Sequence, residues 1–411
     1  MNKSLIYFVS FYGTPPLNFF QKYLEENDLA KVTIVVLPFM RQTKKRLLMN
    51  AFILDENGRK IEKNIDIFFP LPFIFKYIIQ YFLNFYFSFK FLSRIERKEF
   101  DICIAEPSFG ATIAYLLKKF KKCKFTVYMN GDILADPKVS SKTHYLPQNK
   151  INKFFDSLLI NVQYFLRKIA YKNDLVWYPS GKIKKWDNEK GYFAKKEIIA
   201  PAGVIDFEIV KNNINVPKSN HSICYIGRLD EYAGLDIAIS SLKIIRKEIP
   251  DIEMVVVGGA NLIIEKYKRI AKEGGVLNHI KFYGFVPKTE DAIAILARSR
   301  VGLALYKPVE DNVSLYTEPG KVKDYFRAGL PVIMAKGGPD ICSDIERFNA
   351  GVVVGYNKED VAQKIINILT NQQLYEELQK GVLEISKKFE YRENFKNVWN
   401  LINEKANHEP R

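Results

Sequence analysis

Short runs of β-branched and aromatic residues alternate with longer stretches of helical periodicity along most of the chain. In the first half we predict strands at 4–10, 32–37, 101–105, 124–129, 174–177 and 197–200, and helices at 16–26, 73–95, 110–121 and 151–172. Asn57 and Gly58 in LDENGRK predict a β-hairpin turn, because both residue types accept the positive φ of such turns. Strands that alternate with helices in this way are typical of βαβ units and parallel sheets.

The second half repeats this alternation more regularly. Strands are predicted at 222–227, 252–257, 279–283, 301–305, 330–335 and 351–354, and helices at 235–248, 261–273, 289–298, 319–328, 358–369 and 391–405. In residues 205–221, Asn, Lys, Pro and Ser replace the apolar periodicity, so we place the break between the two halves in this segment. The sequence predicts an α/β fold of two Rossmann-like, doubly wound parallel-sheet domains facing a cleft. Ligands of such sheets bind at the carboxyl ends of the strands.

Positive charge is concentrated in one half of the chain. Residues 1–220 contain 35 Lys and Arg against 20 Asp and Glu, a net charge of +15, whereas the remaining residues contain 27 against 26, a net charge of +1. A one-sided positive field attracts phospholipid, nucleic acid or phosphorylated substrates. Lysine-rich solubility is the alternative explanation.

Cysteine usage and hydropathy bear on the compartment. The four cysteines, Cys103, Cys123, Cys224 and Cys342, are far apart and form no C-x-x-C pair. We therefore predict buried, reduced thiols and a cytosolic protein. The apolar start SLIYFVSFYG is followed by GTPP, which favours a first strand over a signal peptide. In the apolar region 67–93 the longest uncharged run has 13 residues, whereas a membrane span needs about 20.

The stretch YTEPGKVKDYFRAGLPVI, residues 316–333, combines features of a phosphate site. Pro319 suits the first turn of a helix, and Gly320 lets a ligand approach the backbone closely. The unpaired N–H groups of a helix start attract anions, and Lys321 adds a full positive charge. Asp324, about one turn further, is placed to accept hydrogen bonds from sugar hydroxyls. Taken alone, the stretch is equally compatible with a plain helix start.

The surrounding motifs resemble a known family. YIGRLD with AGLD, VVVGG, IKFYGFVPKTE and PGKVKDYFRAGLPVI occur in an order that is similar to the C-terminal domain of family 4 glycosyltransferases, which have the GT-B fold. The resemblance implies that Arg228, after Gly227, holds the diphosphate of a nucleotide sugar, where negative charge grows as the glycosidic bond breaks. The other implied donor contacts are Gly259, the backbone around Gly284, Phe285 and Val286 towards the base, and Asp324 at the ribose.

Two departures from the family pattern concern charge. The lysine that the family carries before the glycine opening the first helix is Ala233 here, so Lys321 is the candidate replacement. The family's E-x7-E pair is out of register, because the residue eight before Asp324 is Tyr316. Glu318 has this spacing from Glu310 but precedes the helix, from where it is a candidate contact of the donor sugar.

The resemblance also assigns roles outside the second half. It implies an acceptor-binding domain in residues 1–206, a nucleotide-sugar-binding domain in 207–390, and a C-terminal helix in 391–411 that packs back on the first domain. In the loop SFYGTPP, Gly13 and Thr14 are placed near the donor phosphates. Asp132, after the strand that ends in YMNGD, is a candidate contact of the acceptor or donor sugar, with a turn or N-cap aspartate as the alternative.

These residues define the expected reaction. The candidate catalytic set is Asp132, Arg228 and Lys321, and the resemblance implies transfer with retention of configuration. We expect no metal, because the cations and helix starts already supply countercharge to the diphosphate. No cofactor is expected beyond the substrate, a nucleotide diphosphate sugar of the UDP or GDP type.

The aromatic region 67–93 suggests where the acceptor comes from. It carries Lys76 and Lys90 and follows the basic RQTKKR in the same domain. Apolar side chains beside basic ones are typical of proteins that lie on anionic membranes, although burial of this helix against the sheet is an equally good explanation. We expect a lipid-linked or glycan acceptor and a peripheral position on the inner face of the membrane, with nucleic acid not expected. The alternatives are a non-catalytic or partner-dependent glycosyltransferase-like protein, bound to membrane or nucleic acid, and a GT-B enzyme of another reaction such as epimerisation.

Overall fold

The protein divides into two compact units, and the chain passes between them twice, after Ala202 and after Asn394. The computed structural model describes residues 3–9, 15–42, 46–57, 59–68, 82–83, 85–90, 93, 99–131, 150–202, 204–310 and 312–407. Unit 1 comprises Met1–Ala202 and Phe395–Arg411, and unit 2 comprises Gly203–Asn394. The sequence-based boundary lay four residues later, between 206 and 207.

The described residues of unit 1 form an eight-stranded sheet in the order β4-β3-β2-β1-β5-β6-β7-β8. The strands are β1 Lys3–Val9, β2 Ala30–Gln42, β3 Arg46–Leu54, β4 Lys60–Phe68, β5 Phe100–Ala105, β6 Cys123–Met129, β7 Leu175–Tyr178 and β8 Glu197–Ile199. Six of them pair in parallel, while β3 and β4 extend the edge beyond β2 as an antiparallel hairpin. The helices are α1 Pro15–Glu26, α2 Ser108–Lys119, α3 Lys150–Ala170 and α4 Gly181–Glu189.

The core of unit 1 is built from strands that are buried on both faces. In β1, residues 5–8 are at most 2% exposed, which explains why this strand is continuously apolar instead of alternating. The last helix, α13 (Tyr391–Asn407), contributes Phe395 and Trp399 to the same core. The ring of Phe395 lies 4.9 Å from that of Phe20, which also contacts Trp177 at 5.9 Å. This aromatic cluster fixes the second half of α13 on unit 1.

The described residues of unit 2 form a parallel six-stranded sheet in the order β11-β10-β9-β12-β13-β14. The strands are β9 Ser222–Ile226, β10 Glu253–Val257, β11 Ile280–Gly284, β12 Val301–Ala304, β13 Val332–Ala335 and β14 Gly351–Val354. The helices are α5 Phe207–Ile214, α6 Leu235–Glu248, α7 Asn261–Glu273, α8 Thr289–Leu296, α9 Gly320–Arg327, α10 Ile341–Arg347, α11 Lys358–Thr370 and α12 Gln372–Lys388. Strand order reverses between β9 and β12, and ligands of doubly wound sheets bind at such a reversal.

Several expectations are confirmed, whereas helices α4, α5, α10 and α12 were not predicted. The doubly wound α/β architecture, the hairpin between β3 and β4, and the free, mostly buried cysteines are as predicted. The segment 205–221, in which we placed the break between the halves, is not irregular throughout. This segment contains α5, which Asp206 caps by accepting a hydrogen bond from the Glu208 N–H and which buries Val210. Frequent Asn and Lys on its exposed side obscured the short apolar face.

The proposed membrane region lies largely outside the described residues. Within 67–93, residues 85–90 are helical, and Phe87 is buried while Phe82 is 71% exposed. In the described part of the chain, no helix is both long and apolar enough to cross a membrane.

Candidate functional site

The first part of the candidate site is the end of β9. After the buried strand, Gly227 adopts a φ of +128°, and its N–H donates to the carbonyl of Val257 on β10. A Cβ at Gly258 would come within 2.2 Å of the Gly227 carbonyl oxygen, so both positions require glycine. The side chain of Arg228 follows directly and is 84% exposed, with its Nε 3.8 Å from the Asp230 carboxylate. The strand end therefore presents a guanidinium to solvent.

The second part is the start of α9, which comes to the same strand end. A Cβ at Gly227 would lie 3.4 Å from Cε and 3.7 Å from Nζ of Lys321. Pro319 is the extended residue before the helix, and among the described residues no side chain caps this start. Gly320 is exposed, and within the described chain no atom lies within 4 Å of the position a Cβ would take. Helix N–H groups, an open glycine and a lysine thus converge on the end of β9, as an anion site requires.

Lys321 is held by aromatic rings. Its Nζ donates to the hydroxyl of Tyr225 at 3.0 Å and lies 4.3 Å and 4.7 Å from the ring centres of Tyr225 and Tyr306. Burial lowers the pKa of Lys321 to about 7; the Asp230 carboxylate opposes this shift and the Arg228 charge adds to it. The amino group is therefore poised to gain a full charge when an anion arrives.

Each of the two acidic candidates is oriented by a cation of α9. Lys323 donates to Glu318 Oε1 at 2.6 Å, and Arg327 donates to Asp324 Oδ1 at 2.7 Å. The side chains of Glu318 and Asp324 are 13% and 22% exposed, so both stay within reach of a ligand. Burial raises the pKa of Asp324, and the neighbouring Arg327 limits the rise.

The ends of β10 and β11 form the third part. Gly284 has a φ of +69°, and its carbonyl accepts a hydrogen bond of 2.7 Å from the Gly258 N–H. Gly259 has a φ of +83° and packs so tightly that a Cβ would lie 2.4 Å from Leu229 Cδ1. Phe285 is 76% exposed at this edge, and Leu262 at the start of α7 is 85% exposed.

Ala233, at the position where the family 4 pattern has a lysine, is buried and provides no positive charge. It is 5% exposed, and its N–H donates to the carbonyl of Asp230. The following Gly234 begins α6 with a φ of +75°, and a Cβ there would come within 1.7 Å of the Leu305 carbonyl oxygen. The positive charge beside the end of β9 therefore comes from Arg228 and from Lys321 on α9.

In unit 1 the predicted residues Gly13, Thr14 and Asp132 lie outside the described residues. The adjacent strand end is described, and Asn130 is fully buried there. Its side chain donates to Asp187 and accepts a hydrogen bond from Arg167 at 3.2 Å, while Arg167 also pairs with Asp187 at 2.5 Å. This buried network fixes the end of β6 immediately before Gly131. The sequence did not single out Arg167 or Asp187, because their pairing joins two separate helices.

Two doubly wound α/β units form the fold of GT-B glycosyltransferases, and the candidate anion site lies at the strand-order reversal of unit 2. Residues 206–383 match the family described as Glycosyl transferases group 1. This segment lies entirely within unit 2 and contains all the candidate residues described in that unit. The match confirms the resemblance at the level of this broad group.

Solved structures show the same fold over nearly the whole chain. Anabaena HepE in complex with UDP-glucose has 14% identity and a TM-score of 0.65, covering 98% of this chain and 100% of that chain. Sucrose-phosphate synthase from Thermosynechococcus elongatus has 12% identity and a TM-score of 0.68, covering 98% and 99%. WaaG, a glycosyltransferase involved in lipopolysaccharide biosynthesis, has 13% identity and a TM-score of 0.60, covering 97% and 99%. No curated protein matches the sequence.

Proposed function

We propose that the protein is a glycosyltransferase that moves a sugar from a UDP- or GDP-type nucleotide sugar to an acceptor hydroxyl, without a metal and with retention of configuration. The observation that carries this proposal is the approach of Lys321 to Gly227, which joins the open start of α9 to the end of β9. The match of residues 206–383 and the fold of UDP-sugar-bound neighbours support it.

Different residues of unit 2 would bind the diphosphate, the sugar hydroxyls and the base of the donor. Arg228, Lys321 and the first N–H groups of α9 would bind the diphosphate and stabilise its growing charge as the bond to the sugar breaks. Asp324 and Glu318, oriented by their cations, would accept hydrogen bonds from ribose and sugar hydroxyls. The exposed Phe285 would lie against the base.

We further propose that the acceptor is lipid-linked and reached from the inner face of an anionic membrane. The net charge of +15 in residues 1–220 supports this. In the helical residues 82–83 and 85–90, Phe82, Tyr86 and Phe89 are spaced i, i+4 and i+7 and are 71%, 53% and 42% exposed, with Lys90 beside Tyr86. An apolar stripe flanked by lysine suits the boundary between lipid headgroups and acyl chains.

Donor binding is tested with a panel of nucleotide sugars. We expect one UDP- or GDP-sugar to raise the melting temperature and to release its nucleoside diphosphate when an acceptor is added. The matched variants are Lys321→Met, which should lose the melting shift, and Lys266→Met, an exposed-helix lysine that should keep it. A shift without turnover would indicate the non-catalytic binding protein that Ala233 leaves open, and a new sugar nucleotide formed without acceptor would indicate epimerisation. If no nucleotide sugar changes the melting temperature, the proposal is wrong.

Membrane association is tested by flotation with vesicles of phosphatidylglycerol and phosphatidylcholine at low salt. We expect the wild type to float and the double variant Phe82→Ser/Phe89→Ser to remain at the bottom. Phe120→Ser is the matched control, because Phe120 is 61% exposed in the same unit but lies outside the stripe. A wild type that stays at the bottom would contradict the membrane proposal and leave the donor proposal intact.

A further inference from the structure

Two cations of α9 are almost completely buried, which is unusual for charged side chains of a helix. The side chains of Lys323 and Arg327 are 1% and 6% exposed. Burying a charge is costly unless it is paired and hydrogen-bonded. Each of these cations is paired with an acid of the candidate donor site, Lys323 with Glu318 and Arg327 with Asp324, and each has a second contact on the opposite side.

The second contact of Arg327 is with the chain that enters unit 2. Its Nη2 donates to the carbonyl of Val204 at 2.5 Å, two residues after unit 1 ends at Ala202. The carbonyl of Arg327 itself accepts a hydrogen bond of 2.8 Å from Asn213 on α5, the helix that follows this crossing. The guanidinium therefore links the Asp324 carboxylate to the first connecting segment.

The second contact of Lys323 is with the chain that leaves unit 2. Its Nζ lies 3.7 Å from the ring centre of Phe389, a few residues before unit 1 resumes at Phe395. The two connecting segments also pair with each other. The Ile205 N–H donates to the Phe389 carbonyl at 2.8 Å, and the Tyr391 N–H donates to the Ile205 carbonyl at 2.9 Å. A single side chain, Lys323 or Arg327, therefore connects each acid of the candidate site to the paired connecting segments.

We propose that Lys323 and Arg327 are positioning residues: they hold Glu318 and Asp324 for the sugar nucleotide and transmit its binding to the paired segments 204–206 and 389–391. The inference rests on the proposed donor site. Arginine suits this role because its planar fork donates in two fixed directions at once, here to the carboxylate and to the Val204 carbonyl. A ligand that orders Asp324 must also order the guanidinium, and the Val204 carbonyl with it.

Hydrogen exchange measures this coupling at named amides. The probes are UDP-glucose and GDP-mannose, added separately to the full chain. We expect the binding probe to slow exchange at 226–228 and 318–321, and also to slow exchange of the Ile205 and Tyr391 amides by about tenfold. Slowing at the first two segments without any change at Ile205 and Tyr391 would overturn the inference and leave the donor site standing. No slowing anywhere with either probe would overturn both.

The variants separate positioning from simple stability. Arg327→Met should weaken binding of the probe about tenfold, the loss of one hydrogen bond to a charged group, and should abolish the slowing at Ile205. Lys323→Met should likewise weaken binding of the probe about tenfold and should abolish the slowing at Tyr391. The matched control is Arg300→Met, because Arg300 is 4% exposed in the same unit but binds Asn220 and Gln372 instead.

Arg300→Met should lower the melting temperature as much as Arg327→Met while leaving probe affinity within about twofold and keeping the slowing at Ile205. Equal loss of affinity in both variants would overturn the inference. If Arg327→Met does not fold, Arg327→Lys decides: it keeps the charge for Asp324 but lacks the second direction of the fork, so binding should persist while the slowing at Ile205 disappears.

Discussion

Affinity for a nucleotide sugar should fall steeply as the pH rises above 7, because of Lys321. In the free protein, burial lowers the pKa of this lysine from 10.5 to about 7, with Asp230 opposing and Arg228 reinforcing the shift. Tyr225 and Tyr306 also face its amino group. The diphosphate of a nucleotide sugar carries its full charge throughout this range, and its proximity would return the pKa of Lys321 towards the ordinary value. Binding must then take up a proton at every pH between the two pKa values.

The size of the effect follows from the two pKa values. A group whose pKa rises on binding favours the complex at low pH, and this advantage is fully present below the pKa of the free protein. With a pKa of about 7 in the free protein, the Kd should rise about fivefold between pH 7 and 8 and about fiftyfold between pH 7 and 9. Below pH 6 the Kd should be constant.

Isothermal titration calorimetry at pH 6, 7, 8 and 9 measures both the Kd and the protons taken up. Comparing two buffers of different ionisation enthalpy at pH 8 should show uptake of about 0.9 proton per nucleotide sugar bound. Lys321→Arg is the control, because a guanidinium stays charged at all these pH values and its Kd should vary by less than about twofold. A wild-type protein that binds with a constant Kd and without proton uptake would refute this account of Lys321.

Three further variants test the packing around the site and in unit 1. Gly320→Ala should raise the free energy of unfolding by about 0.5–1 kcal/mol, since a Cβ there meets open space, yet weaken nucleotide-sugar binding; unchanged binding would place the ligand elsewhere. Gly234→Ala should lower the melting temperature sharply, because its Cβ would collide with the Leu305 carbonyl; a melting temperature equal to that of Gly320→Ala would contradict the geometry. Trp399→Ala should cost about 3–5 kcal/mol in urea unfolding, since Trp399 is 4% exposed against Phe20, whereas Phe193→Ala, 67% exposed, should change stability by less than about 0.5 kcal/mol.

Most elements of unit 2 were predictable because their signals are local, although α10 and α12 were not predicted. A β-branched run, a glycine and a helical pattern follow one another within about thirty residues, and the turn glycines at the ends of β9 and β10 have the positive φ that their positions require. Helix α5 was missed for a local reason as well. In its eight residues only Val210 is buried, which is too little apolar periodicity to distinguish a short helix from a polar linker.

The electrostatic properties of the site were outside the reach of sequence patterns. The sequence indicated Lys321 as a cation beside a helix start, but its depressed pKa results from burial among segments that are distant in sequence, including those that carry Tyr225 and Tyr306. The same holds for Arg327, which a helical pattern places one turn after Asp324 and only the fold places on the Val204 carbonyl. Burial and pairing between distant segments are properties of the packed unit, so no spacing rule contains them.

In the proposed donor site, position in space would substitute for position in sequence, because Lys321 would supply the charge that the family 4 pattern places at the position of Ala233. A diphosphate responds to the field at its oxygens, and a cation on the first turn of α9 contributes to that field as well as one on the loop before α6, if both reach the end of β9. Lys321 does reach the end of β9, where it lies against Gly227, while Ala233 is buried in the loop before α6. The difference is that burial lowers the pKa of Lys321 to about 7, so that at neutral pH it becomes fully charged only when the anion is present. The proposed donor site would therefore couple nucleotide-sugar binding to proton uptake, which a solvent-exposed lysine would not do.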